Sequence, residues 1–90
     1  ATRMLMIFKL LLNNAKGEKM NRTNVSSSNI ASIGYDSDRC VLEVEFLNRS
    51  VYQYFSVPEY LYNGLMRADS HGSYFDYYIK KGGFRYQRII

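Results

Sequence analysis

From Cys40 to Phe46 the chain reads Cys-Val-Leu-Glu-Val-Glu-Phe, and this period-2 pattern constrains the fold more than any other feature. In an extended backbone it sends Cys40, Leu42, Val44 and Phe46 to one face and Glu43 and Glu45 to the other. The two carboxylates then read as solubilising charges on a wet strand face. Asn48-Arg49-Ser50 forms a bend, and Val51-Tyr52-Gln53-Tyr54-Phe55 returns as a partner strand of β-branched and aromatic residues. Tyr52 and Tyr54 share a face of this hairpin. A two-stranded hairpin is marginal in water, so one face needs a cover.

The remaining chain supplies that cover. Ile30, Ala31, Ile33 and Tyr35 predict a first strand, closed by the turn-forming run Asp36-Ser37-Asp38. Pro58 suits the first turn of a helix running to about Ala68, with Leu61, Leu65 and Ala68 as its apolar stripe. Asp69-Ser70-His71-Gly72 breaks that helix, and Ser73 is expected to cap a second one with Tyr74, Phe75, Tyr78 and Ile79 on its apolar face. Gly82-Gly83 ends it, leaving Phe84–Ile90 as a closing strand or tail. The predicted class is α+β: a small antiparallel sheet with a central tyrosine-rich hairpin packed against two short helices.

With 90 residues there is room for one core. Within it, residues 1–19 read as a preface. Met4–Leu12 is too short to span a bilayer, which takes about 18 apolar residues, and it lacks the small-residue cleavage site of a secretory signal. Lys16-Gly17-Glu18-Lys19-Met20 can be encoded as AAA-GGA-GAA-AAA-ATG, a purine-rich ribosome-binding sequence before a start codon. The expectation is that native translation begins at Met20 and that residues 1–19 are upstream or added sequence. Much of the net charge of +4 lies in that preface, because Met20–Ile90 balances eight basic against seven acidic residues. Global charge therefore says little about a nucleic-acid partner. One cysteine and one histidine exclude an internal disulfide and a thiolate metal cluster, so the chain is expected to be cytoplasmic, with no metal and no cofactor.

Nine tyrosines are more than so small a core can hide, which points to binding through exposed rings. Tyr52 and Tyr54 are either a stacking platform for unpaired bases or rings packed beneath the helices. Lys80, Lys81, Arg85 and Arg88, interleaved with Tyr86, would suit a phosphate-tracking surface. Ser70, His71 and Ser73 lie where a helix start could receive an anion, or where hydroxyls simply cap the helix. Ser26–Ser28 with Arg22 invite the same pair of readings. No nucleophile, base and orienting group assemble: Cys40 sits on the apolar strand face, and Asp69 and His71 are neighbours in a turn. The chain is therefore expected to be a binding module and not an enzyme.

Several of these residues form a familiar set: Met20-Asn21-Arg22, Ser27-Ser28, Ile33-Gly34-Tyr35-Asp36, Leu42–Phe46, Tyr52-Gln53-Tyr54, Val57-Pro58 and Ala68–Phe75. Together they resemble the KTSC domain, a family of about this size found alone in bacterial and phage proteins and at the C-terminus of some lysyl-tRNA synthetases. Its mark is a Tyr-x-Tyr pair, matched by Tyr52 and Tyr54, with a downstream Ser-x-Gly-x-Tyr-Phe run matched by Ser70–Phe75. The resemblance spans Met20–Ile90 and, through the synthetase attachment, implies RNA binding. The alternatives are a protein-interaction or homo-oligomeric module, phage-encoded and aimed at a host factor, or a sponge for small nucleotides. None involves a membrane. Arg49 stands where relatives commonly place glycine, which implies a different turn or a strained one.

Overall fold

The computed structural model describes residues 20–90, so the expectations for residues 1–19 lie outside the described residues. Five strands pair antiparallel in chain order: β1 (Thr23–Asn24), β2 (Ile30–Asp36), β3 (Val41–Phe46), β4 (Val51–Tyr54) and β5 (Tyr86–Arg88). Between β4 and β5 the chain forms α1 (Glu59–Arg67) and α2 (His71–Tyr74), and α2 runs on as a wider π-helical stretch, Phe75–Lys80. The expected α+β architecture is present, a small sheet with its tyrosine-rich hairpin at the centre and helices on one face. Among the described residues no helix is long and apolar enough to cross a membrane.

Alternation in β3 works as the sequence implies for the covered face. Leu42 pairs with Tyr54 and Val44 with Tyr52, and Leu42, Val44 and Tyr54 pack with Leu61, Leu65, Phe75 and Ile79 in one core. In β2, Ile30 pairs with Phe46 and Ser32 with Glu45, so Ala31 is an extra residue. That bulge turns both Ile30 and Ile33 toward the helices, although they lie three positions apart and strict period 2 would oppose them.

The other face is not wet. Glu43 is 2 % exposed, and Arg22, on the segment leading into β1, donates from its guanidinium to the Glu43 carboxylate and, at 2.9 Å, to Ser32 Oγ. Gln53 Nε2 donates to the other Glu43 oxygen at 2.9 Å, and Ser32 Oγ donates to Glu45 at 2.8 Å. Gly34 makes this crossing feasible, since a Cβ there would collide with the Asn21 carbonyl. The expectation of two solvated carboxylates is thus corrected for Glu43, and a chain segment 21 residues away is the reason.

Three further expectations change. Cys40 is not on the apolar face: it is a half-buried turn residue at φ 57°, and β3 starts at Val41. Ser70, not Ser73, caps α2, its Oγ accepting from Ser73 N at 3.2 Å, because the helix begins three residues earlier than Ser73 would allow. On the apolar side of α2 and its π-helical extension Phe75 and Ile79 are buried and Tyr74 packs against the core, whereas Tyr78 is 46 % exposed, its ring tilted 4.5 Å from that of Tyr74. In the β3–β4 bend, Arg49 N donates to the Phe46 carbonyl and Arg49 sits at φ 74°, so the turn keeps a left-handed position and fills it with an L-residue.

A tyrosine-walled groove as the candidate functional site

The insertion of both helices between β4 and β5 brings Tyr86 beside a hairpin more than thirty residues upstream. Tyr86 pairs with Tyr54, and Arg88 with Tyr52, so Tyr52, Tyr54 and Tyr86 emerge on the helix side of the sheet. Their rings form a ladder: centroids lie 6.4 Å apart for Tyr52 and Tyr54, 5.6 Å for Tyr54 and Tyr86, and 6.1 Å for Tyr52 and Tyr86. Phe75 meets Tyr54 edge-on at 5.4 Å and Phe46 at 5.5 Å, which ties the ladder to the core.

The ladder is the wall of an open groove of about 720 Å³, whose other sides are the Ser28–Asn29 loop, the Leu47–Ser50 bend and the helical residues Gly72, Asp76 and Lys80. A shallower depression of about 510 Å³ continues it past Ser70 and Ser73. Tyr54 is 6 % exposed, so it is part of the core as well as the groove, while Tyr86 is 60 % exposed at the mouth. Burial, with the Tyr52 and Tyr86 hydroxyls close by, pushes the Tyr54 phenol up to about 12.

Of the residues singled out from the sequence, Tyr52, Tyr54, Tyr86 and Lys80 line the groove, and Ser70 and Ser73 line its extension. His71 is turned elsewhere, its Nδ1 2.8 Å from the Leu65 carbonyl at the end of α1. The basic residues do not gather. Lys81 pairs with Asp76 at 3.2 Å; the Arg85 guanidinium stacks 5.2 Å from the Phe55 ring centroid; and Arg88 Nε donates to the Ile90 carbonyl at 2.7 Å. The period-2 pattern puts Arg85 on the sheet face away from the groove.

Sequence reasoning missed Asn29 and Asn48, which both line the groove, their two loops joined where Leu47 N donates to the Asn29 carbonyl at 2.8 Å. Gly72 makes room for the Asn29 side chain, since a Cβ there would strike its Oδ1. The available signal was local: Ser27-x-Asn29 and Asn48-x-Ser50 are both side-chain-to-backbone turn patterns.

Comparison with known proteins agrees with this architecture. The KTSC domain family matches residues 26–86. An uncharacterised protein of Stutzerimonas stutzeri (strain A1501) is 40% identical over 70 residues, 78% of this chain and 99% of that protein. A lysine–tRNA ligase of Trichormus variabilis is 42% identical over 55 residues, covering 61% of this chain but only 10% of the ligase. The crystal structure of a KTSC domain protein from Yersinia pestis superposes with a TM-score of 0.74 at 46% identity, covering 80% of this chain and 100% of that one. By sequence and by fold, the chain belongs to the KTSC domain family.

Proposed function

We propose that this chain is a non-catalytic module that binds single-stranded RNA by receiving an unpaired base in the tyrosine-walled groove. The observation that carries the reading is the ladder of Tyr52, Tyr54 and Tyr86, buried at its base and open at Tyr86. Every base has a π-face, and each base–aromatic stack contributes about 1–3 kcal/mol. Lys80, which has no ion-pair partner among the described residues, supplies a cation on the lining for the backbone. A further support is the match to one tenth of a lysine–tRNA ligase, a protein named for a tRNA substrate. The single, unbridged Cys40 fits a reducing, cytoplasmic setting.

The chain has no tryptophan, so intrinsic fluorescence reports the tyrosines directly. Titration with a seven-nucleotide RNA should quench it, affinity should fall as salt rises, and Tyr86→Ala should weaken binding by about tenfold. Absence of quenching and of any complex at low salt would overturn the reading. A second reading rests on Tyr60 and Tyr77, about 70 % and 68 % exposed on the helices, which would suit a protein partner. Salt-insensitive association without RNA would favour it.

A further inference from the structure

Two asparagines line the groove with their side-chain oxygens drawn into the fold, Asn48 with two donors on its Oδ1 and Asn29 with one. Asn48 Oδ1 accepts from Ser50 N at 3.0 Å and from Ser50 Oγ at 2.6 Å, and because a backbone N–H can only donate, that atom must be the oxygen. Ser27 Oγ accepts from Asn29 N at 3.3 Å and Ile30 N at 3.2 Å, which leaves its own proton to donate to Asn29 Oδ1 at 3.1 Å. Each side chain still offers its Nδ2 amide, and among the described residues neither Nδ2 has a partner. The carboxylate on the groove lining, Asp76, is held by Lys81.

We infer that the Asn29–Asn48 end is a donor pole that receives an acceptor-only group of the RNA, either the O6/N7 edge of guanine or a backbone phosphate. The inference rests on the groove being an RNA site. An asparagine commonly recognises adenine with both amide atoms, donating to N7 and accepting from N6, whereas guanine offers two acceptors on that edge. Asn48 Oδ1 already holds two donors, so the adenine pairing is closed at Asn48, the residue whose amide carries the discrimination. Phosphate oxygens are acceptors alone and fit the same pole.

The variant Asn48→Asp tests this without opening the loop, since one carboxylate oxygen can still accept from Ser50 N while the other replaces the donor by an acceptor. Gln87→Glu, on the opposite sheet face beside Gln53, controls for the added charge. Fluorescence titrations would use the heptamers UUUGUUU and UUUAUUU. If the pole reads guanine, the native chain prefers the first RNA and Asn48→Asp abolishes that preference, with about a tenfold loss confined to it. If it holds phosphate, both RNAs lose about tenfold, well beyond the Gln87→Glu control. Binding of both RNAs by Asn48→Asp within twofold of Gln87→Glu would overturn the donor pole while leaving the groove reading intact. A native chain that binds neither RNA overturns both.

Discussion

Arg49 occupies a left-handed position at φ 74°, where the Cβ of an L-residue crowds the neighbouring carbonyl. Glycine has no such penalty, so Arg49→Gly should stabilise the domain by about 1 kcal/mol, read as a higher urea midpoint at unchanged slope. The glycine that KTSC relatives commonly place here left two readings open, a different turn or a strained one, and the φ of Arg49 selects the strained one. Glu43 is the opposite case. Alternation in β3 tells which face a side chain takes, but what covers that face comes from Arg22, well outside any local window. Arg22→Ala should therefore cost about 3 kcal/mol, because it leaves a carboxylate buried and unpaired. Adding Glu43→Gln, which keeps a polar group that can bond with Gln53, should recover a good part of that loss in the same denaturation assay. An Arg22→Ala penalty under 1 kcal/mol would mean that water reaches Glu43 freely.

At the level of elements, the helices and the hairpin follow from short-range signals, and their errors are errors of one to three residues. Pro58 precedes α1 as its N-cap residue instead of opening its first turn, and Ser70 takes the capping role expected of Ser73. Both serines sit at plausible distances from the apolar run, and the bond from Ser73 N to Ser70 Oγ identifies the one that caps. The lead-in to β1 depends on a glycine in a different strand. Gly34→Ala would push its methyl group into the Asn21 carbonyl, a backbone atom that cannot swing aside as a side chain would. The expected cost is about 1–3 kcal/mol, through loss of the Arg22 crossing. If that mechanism holds, Gly34→Ala and Arg22→Ala break one arrangement, and the double variant should be much less destabilised than the sum of the two. Additive penalties in a double-mutant cycle would separate the two residues.

For the whole molecule, the groove exists because β5 returns to the far side of β4 after both helices, which puts Tyr86 against Tyr54. The sequence marked the tyrosines by type and spacing. It could not mark the groove, whose polar end is assembled from two loops 19 residues apart and joined through Leu47. The same burial has a global consequence at high pH. An unfolded tyrosine ionises near 10, whereas burial pushes Tyr54 and Tyr35 up to about 12, with the neighbouring Cys40 thiol adding to the effect in Tyr35. Between those values the unfolded chain has released protons that the folded chain retains, so stability must fall as pH rises. Below pH 10 both states keep the proton and the full contribution is present. Urea midpoints should thus begin to drop above pH 10 and continue to drop toward 12. Tyr54→Phe, which removes one of the late-titrating hydroxyls, should flatten that decline while leaving its onset in place. A midpoint constant from pH 9 to 11.5 would contradict the buried phenols, and so would a Tyr54→Phe profile as steep as that of the native chain.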